Sequence, residues 1–169
     1  GFEEDELLHE MSQFMFDFWF YFDFQIDIDR TLYHYFIDTE PELTKGELSF
    51  LNMASRSCVR LFEAVKVFPG KSVTLKDLIR GTVMEVREIA GSKQMKRHDI
   101  MAARVMPVGA SGRPEIDGGL YLFERMQREQ VVSRIKFAHE AFIQESPGSP
   151  DSEFFKEMPP DYHQIWLAP

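Results

Sequence analysis

Between Leu7 and Phe22 the apolar side chains fall at Leu7, Leu8, Met11, Phe14, Met15, Phe18, Trp19 and Phe22. Spacings of one, three and four put them on one face of an α-helix. A second pattern overlaps the first, because Phe16, Phe18, Phe20, Phe22, Phe24, Ile26 and Ile28 alternate as in a strand. Together they predict a helix to about Phe22 and an extended segment to Asp29. Glu3, Glu4, Asp5 and Glu6 then occupy the first helical turn, where the positive end of the helix dipole favours them. Asp29-Arg30-Thr31 predicts the start of a short helix through Leu32, Tyr35 and Phe36. Thr44 and Glu47 form a capping-box pattern ahead of a helix to about Ser55, with Leu48, Leu51 and Phe50 turned inward.

From Val59 the pattern changes to short β-branched and aromatic runs parted by Gly, Pro and Ser. Strands are predicted at 59–68, 72–75, 82–89 and 100–108, with a weaker one at 120–123; turns fall at Pro69-Gly70, Gly81, Gly91-Ser92, Gly109 to Gly112 and Gly118-Gly119. Such strands suit a small antiparallel sheet or a partly closed barrel, since parallel pairing needs longer crossovers than these connections offer. After Glu124, Val131, Val132, Ile135, Ala138, Phe142 and Ile143 share a helical face that ends near Gln144. The tail, 151–167, reads as one or two short helices interrupted by Pro159-Pro160. The expected fold is α+β in one compact domain: helices over 1–55, a β part over 56–123 and helices over 124–169.

Charge is sorted along this frame. Residues 1–50 hold 13 acids and 2 bases, residues 51–140 hold 10 acids and 16 bases, and the remainder is acidic again. A basic middle between acidic ends points to an acidic partner or to internal pairing with the N-terminal helix. Hydrophobic residues at 44% exclude an intrinsically disordered chain, and the sixteen phenylalanines, most of them early, are expected to be interior packing. Cys58 is the only cysteine, which excludes an intrachain disulfide framework and a multi-cysteine zinc site within these residues. No basic region precedes an apolar run, and Asp17, Asp23 and Asp27 break the stretch from Phe14 to Ile28, so the expectation is a cytoplasmic protein without membrane contact. The chain is compatible with one piece of a longer protein.

Three stretches carry a resemblance. They are Phe14-Met-Phe-Asp-Phe-Trp-Phe-Tyr-Phe-Asp23 with Arg30-Thr31, then Phe62-Glu-Ala-Val-Lys-Val-Phe-Pro-Gly70, and Val73-Thr-Leu-Lys-Asp-Leu-Ile-Arg-Gly81 leading to Asp99-Ile-Met-Ala-Ala-Arg104. In these the chain resembles uncharacterised bacterial proteins that carry a SEC-C zinc motif at one end. That motif is rich in cysteine, so a chain with only Cys58 does not contain it. The resemblance therefore implies no metal ligand and no activity for these residues.

The remaining candidates are thin. Asp17, Asp23, Asp27 and Asp29 lack the glycine and the bidentate glutamate of a calcium loop, and Asp17 and Asp23 are read instead as capping groups or partners of Arg30. His9, His34, His98, His139 and His163 match no metal or catalytic spacing. His98-Asp99, amid Lys93, Lys96 and Arg97, is a possible pocket, and with the N-terminal carboxylates it is the basis of a hydrolase or metal-enzyme alternative. Cys58 has no nucleophile signature around it, and Gly109-Ala-Ser-Gly112 does not open a helix as a phosphate loop would. Lys66, Lys71, Lys93, Lys96, Arg97 and Arg104 are the candidate contacts for nucleic acid or another acidic partner. No catalytic residue, metal or cofactor is assigned. The expected role is a non-enzymatic interaction or accessory module whose partner is a protein or the remainder of its own chain, docked on the sheet or on the aromatic tail around Tyr162 and Trp166. Nucleic-acid binding through the basic β region is the alternative.

Overall fold

The computed structural model describes residues 2–108 and 112–168. Helix α1 (Phe2–Phe22) leads to a minimal hairpin, β1 (Gln25–Asp27) and β2 (Arg30–Thr31), turned at Asp29 with φ 57°. Helices α2 (Leu32–Asp38) and α3 (Lys45–Arg56) follow. The predicted capping box is present: the Glu47 amide donates to Thr44 Oγ1 at 3.3 Å, and the Thr44 amide donates to Glu47 Oε2 at 2.8 Å. Ala54, fully buried, sets the inward direction of α3. At about 100° per residue Phe50 and Leu51 lie near that direction and Leu48 roughly 120° from it. Leu48 is accordingly exposed, contrary to the sequence expectation.

Five strands form the barrel: β3 (Val59–Phe68), β4 (Ser72–Asp77), β5 (Val83–Arg87), β6 (Ile100–Val108) and β7 (Arg113–Phe123). Their order is β3-β4-β5-β7-β6, closing on β3. The sheet is mixed, not purely antiparallel, because β5 and β7 run parallel at Arg87 and Glu115. The crossover that short loops forbid is made here by β6, itself a strand of the barrel. Alternate residues serve two cores. Phe62 and Ala64 of β3 and Met101 and Ala103 of β6 join Val73, Leu75, Val86 and Met95 in one cluster. Leu61, Ile100, Ala102, Tyr121 and Phe123 point the other way and pack with the C-terminal helices. Burial on both faces at Leu61-Phe62 of β3 and Ile100-Met-Ala-Ala103 of β6 explains why apolar residues stand side by side there.

Strand β7 is far longer than the predicted 120–123. Its Asp117-Gly118-Gly119, which reads as a turn, is a bulge: Ile116 pairs with Val105 and Leu120 with Ala103, so three residues oppose one. Gly118 and Gly119 have φ of 75° and 87°, and α1 lies against them. A Cβ on Gly119 would stand 2.6 Å from Met15 Cγ, and one on Gly118 2.9 Å from the Phe18 ring. The predicted turn at Gly109 to Gly112 falls on residues 109–111, outside the described set, as do the side chains of Leu7 and Leu8.

Helix α4 (Arg128–Glu145) buries Val131 and Ile135. Helices α5 (Asp151–Glu157) and α6 (Pro159–Leu167) follow, with Pro159-Pro160 opening α6 where their missing N–H groups cost nothing. Phe154, Phe155, Tyr162 and Ile165 are almost completely buried against the barrel, and Trp166 is half-buried. The expected docking tail is thus core. Conversely, the opening phenylalanines are only partly interior: Met15 and Phe22 are buried, Phe18, Trp19 and Phe20 half-buried, and Phe14 and Phe16 exposed. Among the described residues no helix is long and apolar enough to cross a membrane.

Candidate binding surfaces

The helical end of the molecule carries an open aromatic surface. Tyr21, Phe22, Leu32, Tyr33, Tyr35 and Phe36 line a cavity of about 440 Å³ between α1, α2 and α3. Phe36 and Leu51 also line a neighbouring one of about 450 Å³ that continues to Leu43 and Phe50. The surface stays open because α2 has two turns and buries none of its own residues. Tyr21 is 50% exposed and Phe36 45%. Glu47 lies beside Gly46 in the lining; Glu40 and Glu42, exposed, stand in the segment between the lining residues Thr39 and Leu43, and Lys45, also exposed, is next to Gly46, so three acids accompany one base. Of the two bases in residues 1–50, Arg30 is tied to Asp38 and lies over the Tyr35 ring.

A second concavity, about 590 Å³, lies on the barrel where β4, β5 and the start of β7 meet. Phe68, Lys71, Ser72, Arg87 and Arg113 line it, together with Glu85. Lys66 Nζ stands 4.6 Å from the Phe68 ring centre. The Gly70 amide donates to Ser92 Oγ at 2.9 Å, which brings Lys93 beside the β3–β4 turn. Lys66, Lys71 and Lys93 thus lie around the β3–β4 turn, and of the three Lys71 lines the cavity. Arg87 joins them, but it is paired with Glu115 at 3.0 Å, and Ser72 donates to Glu85.

Lys96 and Arg97 belong elsewhere. A third cavity, about 400 Å³, sits where β6 begins and α4 begins, lined by Arg97, His98, Asp99, Glu124, Arg125 and Arg128 over Ile100 and Phe123. His98 and Asp99 do not form a base and its orienting carboxylate. The Asp99 carboxylate accepts from the Lys96 amide at 2.6 Å, and the ring Nδ1 of His98 lies 2.7 Å from Glu63 Oε1. That bond, with the charge of Arg128, holds the Glu63 carboxyl below its ordinary range. Glu63 was not singled out in the sequence, because register alone brings it to His98. Among the described residues no cluster of His, Cys, Asp or Glu could hold a metal ion.

A family model described as a family of unknown function, DUF7986, matches residues 4–147. The chain belongs to this family. No curated protein matches it. The DUF7986 match runs from α1 past the end of α4 and so takes in the residues of all four cavities.

Within this DUF7986 chain, Arg104 cannot meet an external partner. It is 1% exposed, ion-paired with Asp23, and donates to the carbonyls of Ala54 at 3.1 Å and Ser57 at 2.8 Å. Lys156 Nζ donates to the carbonyls of Phe22 at 3.1 Å and Ser55 at 2.6 Å, and lies 3.7 Å from Asp23 Oδ1. Two cations therefore satisfy carbonyls that α1 and α3 leave open at their C-terminal ends. Asp23 pairs with Arg104 rather than with Arg30, which is tied to Asp38, and Asp17 accepts from Gln13. Among the described residues Arg104–Asp23 is the one ion pair joining the basic middle to the N-terminal segment; Arg60, Arg80, Arg87 and Arg128 find acids elsewhere. Burial pushes the Cys58 thiol up, away from the thiolate that a nucleophile requires.

Proposed function

We propose that the chain is a non-enzymatic interaction module that docks an amphipathic helical segment of a protein in the groove between α1, α2 and α3. The carrying observation is the open aromatic surface of Tyr21, Tyr35 and Phe36 continuing to Leu51 inside an acidic rim. Exposed apolar patches of this kind mark interaction sites, and a groove between helices takes the apolar face of another helix. The rim selects basic flanks on that helix. The test is titration of the protein with a synthetic leucine-lysine amphipathic helix, a leucine-glutamate counterpart, and buffer alone. The basic peptide is expected to bind saturably, and Phe36→Glu with Leu51→Glu to abolish it. Equal binding of both peptides, no binding, or self-association that covers the groove in sedimentation would overturn the reading.

One observation favours a second reading, single-stranded nucleic acid on the barrel. Five-strand Greek-key barrels of the OB type bind oligonucleotides on the face of their second and third strands, beside the loops joining strands one to two and four to five. The cavity lined by Phe68, Lys71, Arg87 and Arg113 occupies the corresponding place on β4, β5 and the start of β7. Phosphate contacts make affinity fall steeply between about 50 and 200 mM salt. A labelled oligothymidine whose anisotropy rises at low salt, falls with added salt, and no longer responds to Phe68→Ala with Lys71→Ala would establish it; a flat titration would remove it.

A further inference from the structure

The cavity at the start of β6 is a different kind of place from either surface. His98 holds a left-handed backbone, φ 74°, which a side chain other than glycine adopts at a cost. The ladder fixes it there: the His98 amide donates to the Ala64 carbonyl at 2.8 Å, and the Ala64 amide donates to the Asp99 carbonyl at 2.9 Å. Strain held by its surroundings is a feature of functional sites.

The charges around it are unequally used. Glu63 is engaged by His98 and lies 3.6 Å from Arg128, Asp99 is engaged by the Lys96 amide, and Arg128 donates to the His98 carbonyl at 3.0 Å. Arg97 and Arg125 also line the cavity, and neither has an ion-pair partner among the described residues. Asp99 and the adjoining Glu63 are occupied; Glu124, also in the lining, has no ion-pair partner among the described residues, so two unpaired guanidinium groups stand against one unpaired carboxylate. Ile100 and Phe123, both buried, supply an apolar floor. A guanidinium pair over such a floor matches a phosphate carried on a small apolar group, because planar forks bind phosphate oxygens bidentately.

We infer that this cavity binds a small phosphomonoester, with Arg97 and Arg125 gripping the phosphate and His98 lining the same cavity.

The test is a titration of the isotope-labelled protein, followed by amide and arginine side-chain resonances, with inorganic phosphate, phenyl phosphate and sodium chloride at matched ionic strength. Phenyl phosphate is expected to shift Arg97, His98 and Arg125 saturably and more tightly than inorganic phosphate. Arg97→Gln with Arg125→Gln, both exposed and free of structural ties, should weaken it roughly tenfold or more. His98→Asn, which tolerates the left-handed backbone, should also weaken binding while leaving the unfolding midpoint in place. Shifts that do not saturate, that chloride reproduces, that persist in the double variant, or that centre on Lys71 and Arg87 would each overturn the inference.

Discussion

At the scale of single residues, Asp23 carries the largest electrostatic stake. Its carboxylate and the Arg104 guanidinium are both withdrawn from water, with Lys156 close by. Burying such a pair gains little over an apolar pair of the same shape, yet removing one partner strands the other charge. Asp23→Ala is therefore expected to cost about 3–5 kcal/mol in urea unfolding. Asp23→Leu combined with Arg104→Met should recover most of that loss. A single-variant loss under about 1 kcal/mol, the scale of an exposed pair, would show that the clamp is hydrated. None of this was legible in the chain. Asp23 reads as a capping group or a partner of Arg30, and Arg104 as a contact for an acidic partner; only the fold brings these two residues, 81 positions apart, into contact.

At the scale of elements, the bulge in β7 decides how α1 sits. Gly119→Ala meets two penalties, a positive φ and a Cβ placed 2.6 Å from Met15 Cγ, which is too near the backbone to swing aside easily. The expected cost is roughly 2–3 kcal/mol. Gly81→Ala has φ 73° and open space around the new atom, so it isolates the backbone penalty at about 1 kcal/mol. Thermal unfolding of the two variants should differ by the steric part, and equal midpoints would mean that α1 shifts freely. The same bulge marks where pattern reading stops. The bounds of β3 and β6 match because each is an apolar-rich run closed by a turn signal, Pro69-Gly70 after β3 and Gly109 after β6 in the sequence, and the Thr44–Glu47 cap matches because its chemistry is local. Strand β7 was cut short because Gly118-Gly119 is indistinguishable from a turn without the helix it admits. The His98 cavity was legible as a basic neighbourhood, while Glu63, Arg125 and Arg128 enter it through register and packing.

At the scale of the whole molecule, the question is whether the barrel stands without its tail. Residues 4–147 match DUF7986, and that stretch ends before α5 and α6. The second core does not end there. Phe154, Phe155, Tyr162 and Ile165 pack on Leu61, Tyr121, Phe123, Val131 and Ile135, and Gln127 donates to the Ile165 carbonyl at 2.7 Å. Trp19 of α1 donates to the Lys156 carbonyl at 3.0 Å, so the tail also holds the opening helix. Burying four such side chains contributes together roughly 6–12 kcal/mol, as much as the whole net stability of an ordinary domain, roughly 5–15 kcal/mol. Removing residues 150–169 is thus expected to leave a chain without dispersed amide resonances or a cooperative melt, while the full chain unfolds in one transition seen alike by Trp19 and Trp166 fluorescence and by circular dichroism. If the shortened chain keeps a dispersed spectrum, the barrel closes on its own first core of Phe62, Leu75, Val86 and Met101, and the tail helices are a cover laid over a finished domain.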